Sequence, residues 1–457
     1  MSAPIVLLLI LALGLVGWFT ARARARLLYT GRGSMHSMPT YHAWHVVLWI
    51  VVPALLTWVL WTSVSPELIN QAVLNDPAAA ALPEEPMQRA TILSEARSVA
   101  ADPSFIGFTP LSTQLAEPMR AAQLRFGLLG AALVGIVALA GGGYAFTRVR
   151  SRFPARTRVE RGVMLLLLGA SLLAVLTTVG IIASLVFEAG LFFRDVSPIA
   201  FLTGTHWAPA NAVGNDLDSN FGAVPLFWGT IYIGAIIAMI VAIPLGLMSA
   251  IYLTQYADAR ARKVLKPILE ILAGIPTVVY GYFAALTMAP AIRDLASSLG
   301  YANPSTESAL AAGLVMGVMI IPFVSSMADD AIAAVPRAMA DGSLAMGATK
   351  SETIKKVLLP AALPGIVAGV MLAISRAIGE TMIVVMAAGA AARLSADPLE
   401  SMTTVTYQIV QLLTGDQEFN SPKTLSAFAL GLVLFVVTLI LNIIALRVVK
   451  RFREAYE

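Results

Sequence analysis

Residues 163–187 read VMLLLLGASLLAVLTTVGIIASLVF, twenty-five consecutive positions without a charged side chain. Crossing the hydrocarbon of a bilayer takes about 20 mostly apolar residues. Lipid satisfies no backbone hydrogen bonds, so a run of this kind must be a helix. Working outward, eight further stretches approach or meet the same length, at 4–19, 43–62, 126–147, 228–253, 268–290, 309–328, 365–390 and 426–446. Composition agrees. Of 457 residues, 58% are apolar and 13% are Asp, Glu, Lys or Arg, against about 25% charged in a soluble globular chain. The chain is therefore expected to be an all-α polytopic membrane protein with about nine transmembrane helices.

The charges between these stretches set the orientation. Segments 20–42, 148–162, 254–267, 329–362 and 447–457 hold 22 of the 31 Lys and Arg residues, and loops 63–125, 189–227, 291–308 and 391–425 hold eight. The richer set follows odd-numbered helices throughout, which the positive-inside rule reads as N-terminus outside and C-terminus inside. Loop 63–125 adds seven acids to its four bases, consistent with an outer location. A cleaved signal peptide is the competing reading of the first run. Met1 to Pro4 carry no base, however, whereas Arg22, Arg24 and Arg26 follow the run, as in a reverse anchor.

Several chemistries have no residues to perform them. The chain has no cysteine, which removes disulfides, thiolate nucleophiles and Cys-ligated metals. His36, His42 and His45 cluster without a carboxylate and beside Trp44 and Trp49, so they are read as interfacial rather than metal-binding. HExxH, GxSxG and P-loop patterns do not occur. The net charge of +4 gives no reason to expect a nucleic acid partner. The chain is not expected to be an enzyme by itself, and its energy must come from elsewhere.

The loop counts leave one cation unplaced, Arg376, near the middle of 365–390. Glu380 lies four residues on, and a helical reading puts the two on one face. An arginine at that depth costs at least about 2.5–3.5 kcal/mol on insertion scales. Two explanations stand: a structural ion pair, or a guanidinium whose planar fork meets the oxygens of a passing anion. In the second case the adjacent acid also keeps the anion from being trapped.

Residues 1–150 read as an N-terminal extension of three helices with the outer loop 63–125, joined by the basic run Arg148 to Arg161, a flexible link, to a core at 151–457. The glycines of the third helix suit close helix contact or plain packing. The core's longest inner loop, 329–362, reads DDAIAAVPRAMADGSLAMGATKSETIKKVLLPAA. Leu344, Ile354, Val357 and Leu358 have helical spacing, Gly347 separates two short helical stretches, and Pro360 with Pro364 forces an abrupt start to the eighth span. Four bases balance Asp329, Asp330, Asp341 and Glu352. A lipid-surface helix favours Lys and Arg over acids, so balanced charge favours a protein groove over the membrane surface.

DGSLAMG (341–347), followed by Ile354 and Leu359-Pro360, resembles the EAA loop of ABC importer permeases, with Asp341-Gly342-Ser343 where that family has Glu-Ala-Ala. EILAGIPTVVYG (270–281) and SRAIGETM (375–382) resemble phosphate importer permeases. MIVVMAAG (382–389), GDQEFNSP (415–422) and ALGLVLF (429–435) resemble the PstC-type subunit. The resemblance covers 220–457 well, 160–220 loosely and the first 150 residues in outline. It implies that the last six helices form a type I ABC importer permease core. It also implies coupling to an ATPase through Asp341, Gly342, Ser343, Leu344, Gly347, Ile354 and Pro360, and a pathway or gating role for Arg376 and Glu380. The implied partners are a PstA-type permease, two copies of the ATPase PstB and the periplasmic phosphate-binding protein PstS. ATP and Mg would sit on the ATPase, and the cargo would be inorganic phosphate or another oxyanion. A self-sufficient secondary transporter or channel would show several intramembrane polar sites, and a non-transporting scaffold would use the same helices for contact alone.

Overall fold

A computed structural model describes residues 3–29, 35–83, 85–102, 107–211, 216–301, 304–414 and 421–453. Most of the GDQEFNSP stretch and both chain ends lie outside the described residues. The described chain is helical apart from its connections and one isolated bridge between Trp207 and Phe221. It forms two compact units, Met1–Leu176 and Thr177–Glu457.

The first unit holds α1 (Ala3–Leu28), α2 (Pro39–Leu74), α3 (Pro86–Ala101) and α4 (Pro110–Thr147). α2 and α4 run well past the apolar stretches that identify them, so most of 63–125 is helical rather than loop. Small side chains bring α1, α2 and α4 together: Ala21, Ala43, Ala54, Ala138 and Ala145 are fully buried. At Gly141 a Cβ would stand 2.1 Å from the backbone oxygen of Trp49, so only glycine permits this approach of α4 to α2. Beyond the apolar stretches, Val73, Leu93, Leu115 and Met119 make a second small core among α2, α3 and α4. In water each such side chain contributes about 1.5–3 kcal/mol.

α5 (Ala155–Asp195) contains the opening stretch of twenty-five residues, and none of its most apolar window is buried within the protein. The basic run is not a flexible link along its length: from Ala155 onward, Arg156 to Arg161 form the first turns of α5. The two units divide inside this helix, at 176/177, whereas the sequence reading divides the chain at 150/151.

The second unit continues with α6 (Val224–Tyr256), α7 (Ala259–Gly274), α8 (Thr277–Ser298), α9 (Ala309–Ala333), α10 (Arg337–Ala345), α11 (Lys350–Ile378), α12 (Met382–Ala387), α13 (Val405–Leu413) and α14 (Pro422–Arg453). Its core lies chiefly between α6 and α9, around Ile233, Met239, Met316 and Ile320. Two expected spans differ from their apolar outlines. Stretch 268–290 is not one straight helix, because α7 and α8 meet at 86°. Pro276 disfavours helical backbone at Ile275, which takes ψ 129°. Counting that bent pair once, nine segments among the described residues are long and apolar enough to cross a membrane.

The eighth span is likewise shifted. α11 begins at Lys350 and stops at Ile378, instead of occupying 365–390. Pro360 and Pro364 do not force an abrupt start, because a wide π-turn at Ile354–Leu358 carries the helix past Pro360, which has no N–H to give.

Candidate functional site

Arg376 occupies the last turn of α11 and opens on a cavity of about 290 Å³. α7 supplies one wall. Asp258 caps it by accepting from the Ala261 amide at 3.2 Å, and Arg262, Lys266 and Glu270 follow at four-residue spacing, on one face. α9 supplies the other wall, with Phe323, Ser326 and Asp329. Asp329 is buried and accepts from Arg262 Nη2 at 3.0 and 3.2 Å and from Lys266 Nζ at 2.8 Å. The Arg376 guanidinium stands 6.0 Å from the Phe323 ring centre, a cation–π placement. Among the described residues no carboxylate comes within 4.0 Å of it. The cluster therefore sets three cations, Arg262, Lys266 and Arg376, against two acids, Glu270 and Asp329. With Asp329 shared by two cations, Arg376 retains hydrogen-bond donors free for an oxyanion.

Arg376 and Glu380 are not an ion pair on one helix face. Gly379, a poor helix former, ends α11: its amide donates to Ser375 O at 3.3 Å, and the Glu380 amide to Ala377 O at 3.1 Å. The Glu380 carboxylate instead accepts from the Met382 amide at 3.1 Å, at the start of α12, and its carbonyl accepts from Thr406 Oγ1 at 2.8 Å. Sequence reasoning placed Arg262, Lys266 and Asp329 among loop charges and Glu270 in a motif, and missed that they cluster with Arg376. The four-residue spacing of Arg262, Lys266 and Glu270 was the available signal.

The second candidate region is the inner loop. α10 ends at Ala345 and the chain turns at Gly347, whose φ of +88° favours glycine. There the Gly347 amide donates to Leu344 O at 3.0 Å and the Ala348 amide to Ser343 O at 3.2 Å. Thr349 and Glu352 then form a capping box that starts α11. Ser343 and Thr353 hydroxyls lie 3.0 Å apart and tie the two stretches together. Asp341 and Gly342 are exposed, Leu344 is 47% exposed and Met346 89%. Ile354 does not share that outward face. It is buried with Leu358, because the π-turn rotates both inward. Pro360 sits at the second position of the α-helical part of α11, where its missing N–H is tolerated.

Comparison with known proteins follows this division. Residues 7–177 match the family described as "Phosphate ATP-binding cassette transporter", close to the bounds of the first unit. Residues 242–454 match "Binding-protein-dependent transport system inner membrane component". The probable ABC transporter permease protein YqgH of Bacillus subtilis is 37% identical over 245 residues, 54% of this chain and 75% of that protein. The phosphate transport system permease protein PstC of Mesorhizobium japonicum is 31% identical over 290 residues, 60% of this chain and 86% of that protein. Among solved structures, a bacterial ABC transporter involved in alginate import aligns with TM-score 0.45 and 15% identity, covering 65% of this chain and 99% of that one.

Proposed function

The chain belongs to the PstC-type permeases of ATP-driven phosphate importers, and from that premise we propose which of its residues meet the anion and which meet the ATPase. It is a multi-pass membrane subunit of an ABC importer that moves inorganic phosphate, and its class works with an ATPase and a binding protein.

In this proposal phosphate passes Arg376. The observation that carries the reading is a guanidinium with no carboxylate within 4.0 Å among the described residues, in the same cavity as Lys266 and at the end of a helix that starts in the inner loop. Its planar fork suits two phosphate oxygens, and Lys266 adds a point charge. Glu270 opposes the anion and speeds its release. Glu380 acts on the gate by holding the break between α11 and α12, which sets where Arg376 projects.

Asp341, Gly342, Ser343, Leu344 and Gly347 form the coupling face for the ATPase, supported by the exposed apolar pair Leu344 and Met346 beside a fixed turn. Ile354 and Pro360 support it from inside α11. The partners are a PstA-type permease, two PstB ATPases and PstS. ATP and Mg belong to PstB, and this chain binds no cofactor and catalyses no reaction alone. Its N-terminus lies in the periplasm and its C-terminus in the cytoplasm, as the distribution of Lys and Arg supports.

The test is ATP-driven uptake of radiolabelled phosphate into proteoliposomes holding the whole importer. The double variant Arg376→Leu, Glu380→Leu is expected to assemble and not transport, and Arg376→Lys to transport partially. Uptake near wild-type by the double variant, at matched assembly, removes Arg376 from the pathway.

A further inference from the structure

The first unit contains a second cavity, of about 680 Å³, that the transport reading does not use. It is basic at one end. Arg148, Arg158 and Arg161 line it, and none has a carboxylate within 4.0 Å among the described residues; nearby Glu160 is paired with Arg156 at 2.6 Å. The middle is aromatic. Trp49 and Tyr144 have ring centres 5.0 Å apart, His45 and Phe153 likewise, and Arg148 lies 5.1 Å from the Tyr144 ring centre. The other end is apolar, with Leu48, Val52, Leu165 and Leu166.

The order along the helices narrows the ligand. On α5, Arg158 and Arg161 precede Leu165 at helical spacing, and on α2, His45 precedes Trp49 and Val52. Both helices thus pass from a polar or basic end to a purely apolar one. A small inorganic anion has no use for the second half, and a neutral lipid has none for three unneutralised guanidiniums. Trp and Tyr between the two ends are the side chains that sit at headgroup level, and basic pockets between membrane helices suit anionic lipid headgroups. We infer that this cavity binds an anionic glycerophospholipid, its phosphodiester on Arg148, Arg158 and Arg161 and its acyl chains along Leu48, Val52, Leu165 and Leu166.

The experiment uses the full chain, delipidated in nonionic detergent, and phosphatidylglycerol with brominated acyl chains, which quench nearby tryptophan. Comparison with Trp49→Phe isolates the signal of this cavity. Saturable quenching is expected with phosphatidylglycerol, and binding at least about tenfold weaker with phosphatidylcholine. The variant Arg148→Ala, Arg158→Ala, Arg161→Ala should lose affinity on the order of a hundredfold, while Arg150→Ala with Arg152→Ala keeps it. The wild-type comparison of the two lipids stands even if the triple variant does not fold. Equal binding of the two lipids, displacement by inorganic phosphate in excess, or full binding by a folded triple variant would each overturn the assignment.

Discussion

Replacing Asp329 by Asn removes the charge that Arg262 and Lys266 share while keeping the side chain's size. The Asp329 side chain is only 6% exposed, whereas Arg262 and Lys266 are 42% and 38% exposed. Removing one member of a fully buried pair costs about 3–5 kcal/mol, and an exposed pair is worth about 0.2–1 kcal/mol. One buried acid between two half-wet cations falls between these limits, at about 1.5–3 kcal/mol. A domain of roughly this unit's size loses about 2–4 °C of Tm per kcal/mol, so a drop of about 3–12 °C is expected. The assay is the loss of the monodisperse peak in size-exclusion chromatography after heating in detergent. Adding Lys266→Met to Asp329→Asn should cost less than the two single losses combined, by at least about 0.5 kcal/mol. A Tm change under about 1 °C for Asp329→Asn, or strict additivity in the cycle, would refute the claim that this cluster holds α7 to α9.

Three other outcomes are expected. Gly347→Val forces a β-branched residue into left-handed backbone at about 1–2 kcal/mol, and should weaken ATPase association in pull-down while the membrane fold persists; normal association and uptake would remove the loop from coupling. Because the chain has no cysteine, Ala80→Cys should react with a membrane-impermeant maleimide on intact cells and Arg150→Cys should not; the reverse labelling would invert the topology. The Thr109 hydroxyl, then the Thr109 and Phe108 amides, donate to Glu95 and hold its carboxyl below the usual range. A depressed folded pKa gives stabilisation that is present above the unfolded value, about 4.3, and lost as pH falls through the folded one. Amide exchange at Thr109 should therefore quicken at the acid end, after correction for intrinsic rates, and Glu95→Gln should abolish that dependence; an unchanged pH profile in the variant would contradict the assignment.

Hydropathy made the spanning helices legible because lipid demands the same property of every turn of α5 or α9. It could not show where such a helix bends. Pro276 lies among apolar residues, and Gly379 lies in a stretch whose average stays apolar despite Arg376 and Glu380, so hydropathy marks neither break. The same averaging hid α7: a window starting at Ile268 discards Arg262 and Lys266 as loop charges. Asp329 lies 67 and 63 residues from those partners in sequence, and only the packing of α7 on α9 brings them together. Arg376 stood out because it is a cation deep in a mostly apolar stretch, but that stretch does not show that its cavity also holds Lys266, Glu270 and Asp329. The inner loop was more legible, since Gly347 and the Thr349–Glu352 box act locally, but the π-turn that turns Ile354 inward is invisible to a fixed period of 3.6 residues.

The uninterrupted course of α11 has a mechanical consequence. From Ile354 to Arg376 is about 33 Å at 1.5 Å per residue, in one helical span that includes the π-turn and both prolines. The helix is a connecting rod with the inner loop at one end and a guanidinium at the other. A tilt of one degree about the loop end displaces the far end by about 0.6 Å over that length. Ten degrees would carry Arg376 roughly the width of two water molecules, enough to take it out of reach of an oxygen it was holding. If the proposed coupling face moves with its ATPase, the helix itself would carry that motion to Arg376, without any relay of side chains between them.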